Sequence, residues 1–372
     1  MEFQYDALNS KQYSINVFID LTKAFDTIDH KILLGKLEKY GVRGLPLKLI
    51  QTYISDRMYR VNLGAETSSL NTSNIGTAQG SILAPLFFII YVNDLPNFLD
   101  QSYPILYADD TTLCFRNSSF QSAIDQCNRE LYKLSQWCSM NKLTINLNKT
   151  CYMVITNRSI CNVNPIIKIK NNLIKCVQSH KFLGIKIDNR LKFDQHIADI
   201  SVKISKSIGI LFKLSNVLPS STLLSIYNSL VHSHLMYCNA IWGGTHDVHI
   251  HPLFMLQKKC IRIINKTSFL AHTHPLFASN NILKIKDIHR YSQTCFIYKN
   301  LNIFSSLVQT HPYSLRHNYL RPKFQRLAIC QRSIYFSGIK YWNLLSDNIQ
   351  CIDDERKFRK SLKLIILESY NS

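Results

Sequence analysis

Between residues 105 and 115 the chain is apolar and β-prone on both sides of one polar interruption, Asp109-Asp110. Leu106-Tyr107-Ala108 leads in and Thr111-Thr112-Leu113 leads out, so the segment reads as strand, tight turn, strand. A connection this short joins only antiparallel neighbours. It also sets two carboxylates at one edge of a sheet. Residues 15–21 form a second short β-prone run, with Asp20 following Val17-Phe18-Ile19. If that strand lies beside the hairpin, three carboxylates converge. Groups so close repel. Either one keeps its proton at a raised pKa, or a divalent cation sits between them, held by the oxygen ligands it prefers. Two ions about 3.5–4 Å apart, clamping attacking and leaving oxygens, would make a phosphoryl-transfer site. By itself Asp-Asp is a polar turn, and its meaning depends on what surrounds it.

The surroundings predict an α+β chain. Asp29 is placed to cap a helix through Ile32, Leu33, Leu37 and Tyr40, which Gly41 stops. Residues 45–54 read as a second helix and 58–63 with 70–76 as a hairpin. Residues 81–97 read as an apolar helix, with Pro85 in its first turns where proline is tolerated. Residues 120–138 have an amphipathic helical period, 143–155 contain an extended stretch, and 166–187 suggest two short strands. Past Asp188 helical periodicity dominates, over 197–218, 223–237, 252–265 and 289–301. The expected division is therefore 1–188, 189–245 and 246–372.

Charge separates the same halves. The chain has 372 residues, 46% of them hydrophobic, and 44 basic against 24 acidic side chains. Residues 188–372 hold 24 of the bases and 10 of the acids, and from 248 to 346 the one acid is Asp287. So lopsided an excess favours a polyanionic partner, and Lys258, Lys259 and Arg262 are the expected contacts. No apolar run reaches the roughly 18–20 residues of a membrane span, and MEFQYDALNSK is no secretory signal. The 11 cysteines include no C-x-x-C pair, which suits a reducing nucleus or cytoplasm. The histidines at 246, 249, 251, 272 and 274 read as a basic surface more readily than as a zinc site.

In this order the motifs resemble those of the reverse transcriptases of non-LTR (LINE) retrotransposons, in the jockey-like style. Phe18-Ile-Asp-Leu-Thr-Lys-Ala-Phe-Asp-Thr-Ile-Asp-His30 is similar to motif A, and Gly76-Thr-Ala-Gln-Gly-Ser-Ile-Leu-Ala-Pro-Leu-Phe87 with Asn93-Asp94-Leu95 to motif B. Tyr107-Ala-Asp-Asp110 resembles motif C. Trp137 with Asn141-Lys-Leu-Thr-Ile-Asn-Leu-Asn-Lys-Thr150 resembles motif D, and Phe182-Leu-Gly-Ile-Lys-Ile-Asp188 motif E. The likeness continues through Leu191-Lys-Phe-Asp-Gln-His-Ile197 and Leu256-Gln-Lys-Lys-Cys-Ile-Arg-Ile-Ile264.

The resemblance implies a polymerase palm with an RRM-like antiparallel sheet, a helical thumb and a basic helical C-terminal region. It implies an RNA template, a DNA primer, deoxynucleoside triphosphates and two Mg2+ ions, with Mn2+ as a substitute and no membrane. Asp20, Asp109 and Asp110 match the metal ligands. Phe25 matches the residue that excludes a ribose 2′-hydroxyl, and Gln79 and Gly80 the turn at the incoming nucleotide. Tyr107 matches a primer-terminus contact, and Phe182, Leu183 and Gly184 the primer grip. Lys149 is the match for the lysine facing departing pyrophosphate, with Lys142 as the competitor. Only 17 residues precede Phe18, so the expectation is a palm whose fingers are largely missing. A nucleic-acid-binding remnant without polymerase activity is the alternative, and RNA-templated RNA synthesis is a third reading that Phe25 opposes.

Overall fold

The computed structural model describes residues 1–78, 80–158, 165–304 and 320–370. Two compact units emerge, one of residues Lys11–Gln178 and one of Met1–Ser10 with Ser179–Ser372. The contacts thus divide the chain at 10 and 178, where the sequence suggests 188 and 245.

The first unit is built on β1 (Tyr13–Ile19). It is followed by helices α1 (His30–Lys39) and α2 (Leu45–Ile54), and by the short strands β2 (Arg57–Tyr59), β3 (Asn62–Leu63), β4 (Glu66–Thr67) and β5 (Asn71–Ser73). Then come α3 (Leu83–Val92), α4 (Leu95–Phe98), β6 (Tyr103–Tyr107), β7 (Asp110–Asn117), α5 (Phe120–Met140), β8 (Cys151–Ile155), β9 (Lys168–Ile169), β10 (Asn172–Leu173) and β11 (Lys175–Cys176). Five strands make one sheet in the order β11-β8-β1-β7-β6, antiparallel except where β11 meets β8. The central strand β1 is buried along six of its seven residues, which is why it reads as a nearly unbroken apolar run. Ile15, Val17 and Ile19 meet Leu113 and Phe115 in one core with Leu33, Phe87, Phe88, Leu131 and Trp137 of the helices.

Local chemistry sets the helix ends. The Asp29 carboxylate accepts the Ile32 amide at 3.0 Å to cap α1, and Gly41 in the left-handed region (φ 91°) closes it. Ser119 caps α5 through the Ser122 amide.

Three expectations change in detail. The single helix over 81–97 is two, because Pro96 has no amide to donate and its ring clashes with the carbonyl a turn back. In 143–155 only residues 151–155 are regular strand, since 144–146 bond instead to the end of β1. Residues 166–187 hold five short strands, not two.

In the second unit, β12 (Ser179–Phe182) and β13 (Ile185–Asp188) form a hairpin, and the rest is mostly helical. The helix Asp194–Leu214 packs along the helix Asp247–Ile264, and Ile285–Lys299 along Glu355–Glu368. The helix Glu2–Asn9 belongs here too: Glu2 accepts the Ile334 amide and Asn9 the Arg326 amide. The helix expected over 223–237 is interrupted by a π-helical stretch, Asn228–His232. There the hydroxyls of Ser225, Ser229 and Ser233 each donate to the carbonyl four residues back, a pattern that bends helices. Among the described residues no helix is long and apolar enough to cross a membrane.

Candidate active site

The sheet's register gathers the acids. β1 pairs antiparallel with β7, and the last pair is Ile19 with Thr111. One residue further, the same register sets Asp20 across from Asp110. Asp110 pairs on its other side with Tyr107, so Ala108-Asp109 is the whole turn between β6 and β7. Ala108 takes a φ of 50°, a conformation that costs an L-residue about 1–2 kcal/mol. The turn therefore carries strain beside Asp109 and Asp110.

Asp20 is held by backbone on both sides. Its carbonyl accepts the Asn146 amide at 2.8 Å, and its amide donates to the Thr150 hydroxyl at 3.3 Å. Leu21 bridges Ile145, and the Thr22 amide reaches the Thr144 carbonyl at 2.8 Å. The loop brings Lys149 along: its Nζ lies 3.8 Å from Asp20 Oδ2. Lys142, the competitor, instead meets Asp29 Oδ2 at 2.6 Å. Burial works to raise the Asp29 carboxyl, but the bonds from Lys142, Ile32 and Lys31 outweigh it and hold that carboxyl below the ordinary value.

Asp109 and Asp110 are exposed and Asp20 is 37% exposed. Among the described residues no three His, Cys, Asp or Glu side chains stand close enough to hold a metal ion. The donor set nevertheless fits magnesium in kind. Its atoms are all carboxylate oxygen, and they share one end of the sheet. Magnesium is usually held by one or two carboxylates with waters and substrate phosphates, not by a closed protein cage.

A second set of contacts locks the turn after β1 to the segment before α3. The Thr77 amide donates to the Phe25 carbonyl at 2.9 Å and the Gly76 amide to the Ile28 carbonyl at 2.8 Å. Gly76 has a φ of 71°, and a Cβ there would stand 2.6 Å from the Asp26 carbonyl oxygen. Only glycine allows that approach. The Phe25 ring is braced against Phe88, 4.8 Å between centroids. Behind it, Lys36 Nζ meets Asp94 Oδ1 at 2.8 Å, between the rings of Tyr91 and Trp137. The Tyr91 hydroxyl donates to the Asn141 carbonyl at 2.7 Å, and the Asp29 amide approaches it at 3.4 Å.

The remaining expected residues are dispersed. Gln79 lies outside the described residues. Gly80 is exposed with a φ of 82° and open space where a Cβ would be, so the backbone angle alone requires glycine. Tyr107, at the end of β6, is 63% exposed. Phe182, Leu183 and Gly184 stand in the second unit, where Leu183-Gly184 is the two-residue turn of β12–β13. Both take positive φ, and the Tyr237 hydroxyl donates to the Leu183 carbonyl at 2.6 Å. On the helix Asp247–Ile264, Lys258 sits 4.5 Å over the Phe254 ring. Arg262 lies 5.6 Å over the Phe269 ring and donates to the Ala271 carbonyl, while Lys259 is exposed. Lys258 and Arg262, four residues apart, lie on the same side of that helix. His30, Arg57, Gly76 and Thr150 also tie the backbone around the site, and the sequence assigns none of them a role. His30, Gly76 and Thr150 nevertheless lie inside the quoted motifs.

Comparison with known proteins gives the family. The family described as reverse transcriptase (RNA-dependent DNA polymerase) matches residues 2–187, half of the chain. The RNA-directed DNA polymerase from mobile element jockey of Drosophila melanogaster is 25% identical over 297 residues, covering 77% of this chain and 32% of the relative. The probable RNA-directed DNA polymerase from transposon X-element of the same fly is 26% identical over 295 residues, with the same two coverages. The chain thus spans about a third of the length of these relatives. A solved structure of telomerase from Candida albicans, in complex with a TWJ fragment of telomeric RNA, is 14% identical. It covers 82% of this chain and 50% of its own at a TM-score of 0.30, too loose to place any element. Sheet, motif order and relatives converge, and the chain belongs to the reverse transcriptase (RNA-dependent DNA polymerase) family, its matched half being a domain of the non-LTR retrotransposon type.

Proposed function

We propose that this chain carries out RNA-templated DNA synthesis at the end of the sheet that bears Asp20, Asp109 and Asp110. The observation that carries the reading is the β1–β7 register, which sets Asp20 across from Asp110 with Asp109 in the adjoining turn. In the reaction the primer 3′-oxygen bonds to the α-phosphorus of a deoxynucleoside triphosphate. The α–β phosphoanhydride breaks, pyrophosphate leaves, and the hydroxyl proton passes to solvent water.

Asp20 and Asp109, with Asp110, would hold two Mg2+ ions, or Mn2+ in their place. Bound there, such ions supply charge neutralisation for the triphosphate and a more acidic primer hydroxyl. The protein's own residues do the rest. Phe25 closes the space beside C2′ of the sugar, so that a ribose 2′-hydroxyl clashes. Gln79 and Gly80 face the incoming nucleotide, and Tyr107 the primer terminus. Lys149 holds a proton at Nζ for the departing pyrophosphate. Phe182, Leu183 and Gly184 grip the primer strand. Residues 1–188 serve as palm, 189–245 as thumb and 246–372 as a basic region whose Lys258, Lys259 and Arg262 face nucleic acid, in nucleus or cytoplasm. Primer extension on an RNA template tests the reading: it should require Mg2+, stop on chelation, resume on re-addition, and be lost in Asp109→Asn. Extension that ignores both treatments would overturn it.

A further inference from the structure

We infer that His30 and Arg57 are positioning residues for sugar selection, acting on Phe25 through the backbone of Gly76 and Thr77. The inference rests on the reading of Phe25 as the sugar gate and adds what holds that gate in place.

Two side chains from different elements converge on one carbonyl. His30, at the first turn of α1 and buried, brings Nε2 to 2.7 Å from the Gly76 oxygen. Arg57, at the start of β2, brings a guanidinium N–H to 2.9 Å from the same oxygen. It donates also to the Ile75 carbonyl at 2.9 Å and the Ile54 carbonyl at 3.3 Å. The next residue, Thr77, ends on the Phe25 carbonyl through its amide, with its hydroxyl 3.4 Å from the same oxygen. Ile75 bridges Asp29, the residue before His30. The loop from Phe25 to His30 and the strip from Ile75 to Thr77 are therefore zipped together, and Gly76 lies flat on the Asp26 backbone.

The loop needs such a hold. Lys23, which opens the turn carrying Phe25, takes a φ of 46°, a region a lysine enters only when its surroundings impose it. A gate that rejects a single hydroxyl must stand within a fraction of an ångström of its place, and a shift of about 1 Å can cost on the order of a hundredfold. Arg57 meets this demand with a rigid planar fork that a lysine cannot copy. A merely core-filling histidine would leave sugar preference untouched when replaced. A positioning histidine would not.

The test is the ratio of incorporation efficiencies, kcat/KM, for a deoxynucleotide and its ribonucleotide counterpart on the same primed RNA. His30→Ala and Arg57→Lys should each lower the preference for deoxynucleotide by about tenfold, mainly through KM, for a modest displacement of the gate. His30→Gln, whose amide nitrogen can still donate to Gly76, should keep the preference. Phe25→Ala should abolish it, and adding His30→Ala to Phe25→Ala should cost nothing more, since both act through one ring. Should His30→Ala not fold, Arg57→Lys carries the same comparison. Unchanged preference in both variants, with Phe25→Ala relaxed, overturns the inference and leaves the polymerase reading standing. Unchanged preference in Phe25→Ala overturns the gate itself, and no extension by the intact chain overturns the polymerase reading.

Discussion

Lys149 and Lys142 compete for one role in the sequence, and their partners separate them. Lys142 ties Asp29 to the start of α1, whereas Lys149 stands at Asp20 with 71% of its side chain exposed. So open a pair contributes little to stability, within about 1 kcal/mol. Lys149→Met should leave the thermal midpoint nearly unchanged and slow nucleotide addition by on the order of a hundredfold, the usual worth of a general acid. Lys142→Met should do the reverse, loosening the start of α1 while sparing the rate. Equal rates for the two variants would refute the assignment of Lys149. At this scale legibility follows distance along the chain. Asp109 and Asp110 are readable because a two-residue turn needs no distant partner. His30, Arg57 and Gly76 come together only after 46 and 19 intervening steps of chain, and no local pattern announces that meeting.

Besides their shared apolar core, the elements of the first unit are joined by a few polar ties. Lys36 of α1, Tyr91 of α3, Asp94 and Trp137 of α5 form one such knot, and the Trp137 indole adds a bond to Asp94 Oδ1 at 3.3 Å. Burial lowers the Lys36 pKa, and Asp94 opposes that shift. Asp94→Ala would leave the ammonium among the rings without its carboxylate. The cost should be about 1–2 kcal/mol, below the figure for a fully buried pair because Asp94 is 47% exposed. Urea unfolding followed by tryptophan fluorescence would measure it, and an unchanged midpoint would show the knot to be idle. Periodicity misses two features of these elements. Residues 81–97 have helical period throughout, but the chain breaks at Asn93-Asp94, ahead of Pro96. Residues 143–150 look extended, yet they serve the end of β1 and not a strand of their own.

Across the whole chain, acid should weaken the second unit. Burial pushes His196, His232 and His289 down to about 4. In the unfolded chain they titrate near 6.5. Between those values the unfolded state binds protons the folded state refuses, so stability is full above about pH 6.5 and falls as pH drops, levelling below about 4. For His289 alone the loss at pH 5 is about 2 kcal/mol. Urea midpoints at pH 8 and pH 5 should show the decline, and His289→Gln should remove about a third of it, His196 and His232 keeping the rest. An equally steep decline in that variant would place the acid sensitivity elsewhere. The α+β class and the change to helices after Asp188 were legible, because period and composition change there together. The grouping of the helix Glu2–Asn9 with residues 179–372 was not, since the contacts that decide it lie more than 300 residues apart in sequence.

The claim on which everything else depends is that the end of the sheet bearing Asp20, Asp109 and Asp110 is a polymerising site. Single-nucleotide addition to a DNA primer on an RNA template, in Mg2+, tests it most directly when the intact chain is compared with Asp109→Asn at matched far-ultraviolet circular dichroism. The account predicts addition by the intact chain and a loss on the order of a thousandfold in the variant, the scale of removing a key electrostatic group. Equal rates would contradict it.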